Sequence, residues 1–234
     1  PPHSGLASPG TQLGGPTVAL GHTAGTTGNP HHGSRCLRGS QGCSVLTPPM
    51  TRTVPEAAGP VVVTPIGSLT ELLAVDGVSE ELDLRSGVGV LALHGGGLER
   101  ATDVVAREVA SRTDSSFYAL VQPDGSRRHL SSTRFVTGVS ERLDAFLQKV
   151  DTVMSIHGYG RHDDFWAVLV GGANRPLAHH VAGHLRATLP EEYRVVDDVY
   201  AMPRSLRGLH PDNPVNHRAG GGVQVELPPS IRWN

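Results

Sequence analysis

Four residues in this chain have the types and surroundings to do chemistry together: His94, Glu99, His157 and Glu226. His94 ends the apolar run "VGVLAL", and Glu99 follows it after three glycines and a leucine. Glycines let a backbone turn sharply, so a His and a Glu on one such turn can face a single cation. The turn has two other readings. A Gly-rich loop ahead of a helix can cradle phosphate, but "HGGGLERAT" lacks the spacing of a Walker or dinucleotide fingerprint. An HGGG turn can also supply an oxyanion hole, but that chemistry needs a GxSxG nucleophile, which the sequence lacks. His157 ends a second apolar run, "TVMSI", and again precedes Gly. One strand-end His reads as a hydrogen-bonded structural residue; two with the same His-Gly pattern suggest a shared role. In "GGVQVEL", alternation puts Val223, Val225 and Leu227 on one face and Gln224 and Glu226 on the other. Glu226 is then either on the solvated face of an edge strand or a carboxylate aimed into a site, since burying it alone is costly. Together the four supply the parts of a mononuclear zinc hydrolase: two His and one Glu as ligands, an open position for water, and a free Glu as general base.

The elements that must hold these residues alternate. Short β-rich runs are expected at 61–65 and 81–87, and buried strands at 87–97, 115–122, 152–159 and 165–172. Amphipathic helices are expected at 99–113, 139–150 and 175–189, then a short strand at 193–199 and a last strand at 221–227. Strands alternating with helices of this length predict an α/β fold: one three-layer domain with a mixed, mostly parallel sheet. Ligands in such sheets bind at the carboxyl ends of strands, which is where His94 and His157 fall.

The composition divides the chain. Residues 1–60 hold 11 Gly and 9 Pro, no aromatic residue, and only Arg35, Arg38, Arg52 and Glu56 as charges. That stretch is expected to be a disordered tail before a folded domain at 61–234. Met50 reads as a natural start, which would leave 1–49 upstream of it. Cys36 and Cys43 lie in the tail, and their spacing fits neither CxxC nor the usual zinc fingers. The net charge of −2 argues against a mainly electrostatic nucleic-acid binder. No run reaches the ~18 apolar residues of a membrane span, and no signal-peptide pattern is present. The expected location is the cytoplasm.

The blocks "LALHGGGLERATDVVAREVA", "MSIHGYG", "VLVGGANRPLAHHVAGHL" and "NPVNHRAGGGVQVELPPSIR", in this order, resemble the poly-γ-glutamate hydrolase family from about Val61 to Trp233. Many members are known only as phage-replication-related proteins, so the resemblance adds release by lysis, if the chain is phage-encoded, as the alternative to the cytoplasm. The resemblance implies a zinc-dependent hydrolase with a carboxypeptidase-like fold, cutting γ-glutamyl linkages of poly-γ-glutamate. It implies one Zn²⁺ per chain on His94, Glu99 and His157, and Glu226 in the position of the general base.

A polyanionic or peptide-like substrate needs donors and cations, and the candidates are Arg175, Asn216 and Arg218, the latter two in the NPVN block and just after it respectively. His180 and His184 stand at i, i+4, a spacing that can bind metal, but without the Glu of HExxH they read as exposed helix residues. Two rivals stay open: a related amidase on a cell-wall or other γ-glutamyl substrate, and a non-catalytic binding module on the same fold.

Overall fold

The computed structural model describes residues 63–233, which belong to one compact unit. The tail over 1–60, the start at Met50 and both cysteines lie outside the described residues. The elements run β1 (Thr64–Pro65), α1 (Leu69–Leu73), β2 (Ser79–Asp83), β3 (Val88–Gly96), α2 (Thr102–Thr113), β4 (Ser116–Gln122), β5 (Arg128–His129), α3 (Glu141–Lys149), β6 (Thr152–Gly158), β7 (Ala167–Gly171), α4 (Arg175–Thr188), β8 (Arg194–Val196), β9 (Val223–Leu227) and α5 (Pro229–Arg232). Single 3₁₀ turns fill several connections, among them Arg204–Leu206 and Pro214–Asn216.

Seven strands form the main sheet in the order β2-β4-β3-β6-β9-β7-β8. The pairs β3–β4, β3–β6, β6–β9 and β7–β8 are parallel, and β2–β4 and β7–β9 are antiparallel. The sheet is therefore mixed and mostly parallel, as the βα alternation predicts. β9, last of the strands in sequence, is inserted between β6 and β7, so it is not an edge strand. All five of its residues are buried, Glu226 included. β1 and β5 pair in parallel as a separate two-stranded sheet.

Alternation along the strands makes two apolar layers. Val90, Ala92, Ile156, Val168, Val223 and Val225 pack with Ala106 and Ala110 of α2 and Ala178 and Ala182 of α4. Alanines on those helix faces let them lie close to the sheet. Leu91, Leu93, Tyr118, Leu120 and Val153 face the other way, onto Leu69 and Leu72 of α1 and Leu143 and Phe146 of α3. Ser155, His157, Gln224 and Glu226 alternate with Met154, Ile156, Val223 and Val225, so they share this second face. Ser140 caps α3 by accepting from the Leu143 N–H at 3.0 Å.

Of the helices on that face, α3 places the largest side chain in the core: Phe146 is fully buried. Phe146→Ala is expected to cost about 3–5 kcal/mol of unfolding free energy, read from a denaturant midpoint. A loss under about 1 kcal/mol would mean that this layer does not hold the sheet.

Candidate metal centre

The His94–Glu99 turn is built by close backbone approaches. Gly96 has φ +66°, and a Cβ there would lie 2.1 Å from the Gln122 carbonyl oxygen; one on Gly97 would lie 2.4 Å from that of Pro123. Only glycine fits such gaps. The Glu99 N–H donates to the His94 carbonyl at 2.9 Å, which folds the carboxylate back over the imidazole. Just beyond, Ala101 enters α2 with φ +67°, left-handed backbone that an alanine adopts at a cost.

His94, Glu99 and His157 come together here. Each offers one ligand atom, and those atoms all lie within 4.8 Å of one another. The His94 Nε2 sits 2.8 Å from the Leu130 carbonyl, which can only accept, so Nε2 carries the proton. His94 Nδ1 then points a lone pair at Glu99 Oε1, 2.8 Å away. Two acceptors cannot sit so close without a proton or cation between them. His157 Nδ1 lies 3.4 Å from Glu99 Oε2, and that oxygen also accepts from the Gly158 N–H at 2.8 Å. His157 Nε2 is buried with no hydrogen-bond partner among the described residues. Two imidazoles and a carboxylate, with one His oriented by a carbonyl, suit Zn²⁺. Among the described residues no other group of three His, Cys, Asp or Glu side chains could hold a metal; the exposed His180–His184 ring pair on α4 has no third ligand.

Charge in this cluster is strongly biased. Burial opposes ionisation of Glu99, yet the two imidazoles outweigh it and hold the carboxyl well below its usual range. Burial would likewise keep His157 neutral, but hydrogen bonding and attraction to Glu99 raise its pKa. Glu226, level with His157 in the β6–β9 pairing, is pushed up to about 7, chiefly by burial and further by the Glu99 charge. Its Oε1 accepts from Gln224 Nε2 at 2.8 Å, and Gln224 Oε1 accepts from Asn213 Nδ2 at 3.0 Å. That buried chain fixes both the amide and the carboxylate.

These four residues form the floor of a cleft of about 600 Å³. One wall is His129 to Thr133 and the other runs from Arg204 to His210. Gln122 clamps the first, donating to the Arg128 carbonyl at 2.7 Å and accepting from its N–H at 2.9 Å. Neither wall was legible in the sequence, because one hangs on a two-residue strand and the other on a single 3₁₀ turn. Gln224 had a signal, its place on the Glu226 face of β9.

The three residues expected on the substrate do not line this cleft. Arg175 donates to the carbonyls of Val170, Gly172 and Asp197. Arg218 donates to those of Leu147, Gln148 and Val150, satisfying the carboxyl end of α3. Asn216 ties loops together: its amide donates to the carbonyls of Gly208 and His210 and accepts from the N–H groups of Ala173 and Gly222. Backbone carbonyls at element ends needed donors, and these side chains supply them.

The sequence model of the poly-gamma-glutamate hydrolase family matches residues 70–234. Two relatives from Bacillus subtilis (strain 168) align with the chain. UPF0714 protein YndL is 31% identical over 150 residues, covering 63% of this chain and 55% of that protein. The SPbeta prophage-derived UPF0714 protein YoqZ is 33% identical over 153 residues, covering 62% and 50%. The chain thus spans about half the length of these curated relatives. Among solved structures, a bacteriophage poly-gamma-glutamate hydrolase superposes with a TM-score of 0.57 at 28% identity, over 69% of this chain and 76% of that one. A zinc-free apo form of YndL superposes at 0.54 and 26%, over 67% and 74%.

The raised pKa of Glu226 carries a stability prediction for the metal-free protein. A folded-state pKa above the ordinary 4.5 favours the protonated form, so the contribution is present below pH 4.5 and is lost as pH rises through about 7. Metal-free Glu226→Gln is expected to match wild type near pH 4.5 and to exceed it above pH 7, by on the order of 3 kcal/mol. Parallel stability curves for the two proteins would refute the buried-carboxylate assignment.

Proposed function

This chain belongs to the poly-γ-glutamate hydrolase family, and on that premise we propose that it is a zinc-dependent hydrolase of amide bonds, with γ-glutamyl linkages of poly-γ-glutamate as substrate. The observation that carries this reading is the His94–Glu99–His157 cluster, two buried imidazoles and a largely buried carboxylate whose ligand atoms lie within 4.8 Å of one another, open to a cleft that also holds Glu226. The zinc-free state in which YndL was solved supports zinc as the metal in a relative. His94, Glu99 and His157 would hold Zn²⁺, which supplies Lewis acidity and lowers the pKa of water toward ~7.

The chain's own residues do the rest. The Leu130 carbonyl fixes the His94 tautomer and leaves Nδ1 free to ligate. The Gly158 N–H holds Glu99 Oε2 in place. Gln224 occupies Oε1 of Glu226, which leaves Oε2 to take a proton from the attacking water and to pass it to the leaving amine. The buried surroundings keep that carboxylate basic near neutral pH. Arg232 backs the site from behind, its guanidinium donating to the carbonyls of Leu227 and Tyr159 and packed on Gly158.

Glu226→Gln is expected to keep one zinc per chain and to lose about 10²- to 10⁴-fold in kcat on poly-γ-glutamate, measured by polymer shortening. His157→Ala is expected to lose both metal and activity. Unimpaired turnover in the first variant, or full zinc occupancy in the second, would overturn the respective role.

A further inference from the structure

The two walls of the cleft differ in chemistry. The His129–Thr133 wall offers three hydroxyls and an imidazole whose pKa burial, aided by the nearby His94, lowers. The Arg204–His210 wall carries Arg204, the one Arg or Lys among the described residues that line the cleft. Its guanidinium makes no hydrogen bond or ion pair with any described residue. This sets it apart from Arg175, Arg207, Arg218 and Arg232, each of which donates to backbone carbonyls.

The segment bearing Arg204 is held in register with the floor. The Leu206 carbonyl accepts from Gln224 Nε2 at 3.4 Å, the same amide that donates to Glu226. The Arg207 carbonyl accepts from the Gly172 N–H at 2.8 Å. Gly208, at φ +63°, packs on the Gln224 side chain so closely that a Cβ would lie 2.7 Å from it. Asn216 holds the carbonyls of Gly208 and His210. A solvent-exposed cation with no partner among the described residues therefore stands on a pinned backbone, on the Glu226 side of the cleft.

We infer that Arg204 is the specificity-determining residue that binds a substrate carboxylate on the Glu226 side of the cleft. The inference rests on the hydrolase reading above and adds to it the anchor point of the substrate. A glutamate joined through its γ-carboxyl keeps its α-carboxylate, so every unit of a γ-linked chain presents one anion beside its amide. A guanidinium binds such a group through two parallel N–H bonds, which an ammonium cannot reproduce. An α-linked or neutral polyamide has no anion at that place.

The test measures binding and turnover on the full chain loaded with zinc. The probes are a short γ-glutamate oligomer and the same oligomer with its α-carboxylates converted to carboxamides. Wild type is expected to bind the acidic oligomer at least about tenfold more tightly than the amidated one, less so at high salt. Arg204→Gln is expected to raise Kd and KM for the acidic oligomer about tenfold, leaving kcat, zinc content and the amidated oligomer's Kd within about twofold. Arg204→Lys is expected to fall between. An unchanged Kd for the acidic oligomer in Arg204→Gln would overturn the inference, as would wild type binding neither oligomer. If wild type binds the acidic oligomer through Arg204 but cuts neither, the carboxylate anchor stands and the hydrolase reading falls.

Discussion

The Glu99 carboxylate is the point on which the rest of the site depends. It is shared between the imidazoles of His94 and His157 and held by the Gly158 N–H. A buried anion without partners would cost several kcal/mol, so the surrounding structure is organised to keep it charged. The Gly-rich turn exists to bring this carboxylate back over His94. The β3–β6 pairing brings the ends of the two His-bearing strands alongside each other. The Leu130 carbonyl then fixes which nitrogen of His94 faces the carboxylate. The result is three donors crowded around a gap that asks for a cation.

A second carboxylate lies close by under the opposite constraint. Glu226 sits one strand over from His157 and faces an amide at one oxygen, where Glu99 faces two imidazoles. Glu99 is thereby held ionised, whereas Glu226 is held near the point of taking a proton. Two carboxyls driven apart by their environments is the electrostatic division a ligand and a general base require. Insertion of β9 between β6 and β7 makes this possible, because only an interior strand could bury Glu226 so fully.

The alternation of apolar strands and amphipathic helices was legible because each buried layer imposes its own period. Strand-end His residues followed by Gly were legible because a sharp turn after a buried strand needs glycine. The position of β9 was not, since nothing in "GGVQVEL" says which neighbours a strand will take. Arg175 and Arg218 misled for a definable reason: an arginine next to a motif can serve a helix end or a loop carbonyl as well as a ligand. Arg204 carries no signal in the sequence because its segment has no periodicity, and its lack of a partner among the described residues exists only in three dimensions. His129 is similar: its place beside His94, with ring centroids 5.1 Å apart, comes from pairing between two very short strands.

The most direct measurement of the central claim is zinc-edge X-ray absorption on the full chain loaded with one equivalent of metal. One tightly held zinc is expected, with only nitrogen and oxygen neighbours at about 2.0–2.2 Å, two of them imidazoles. A sulfur shell near 2.3 Å would place the metal on Cys36 and Cys43. That result, or failure to retain zinc at all, would contradict a centre built on His94, Glu99 and His157.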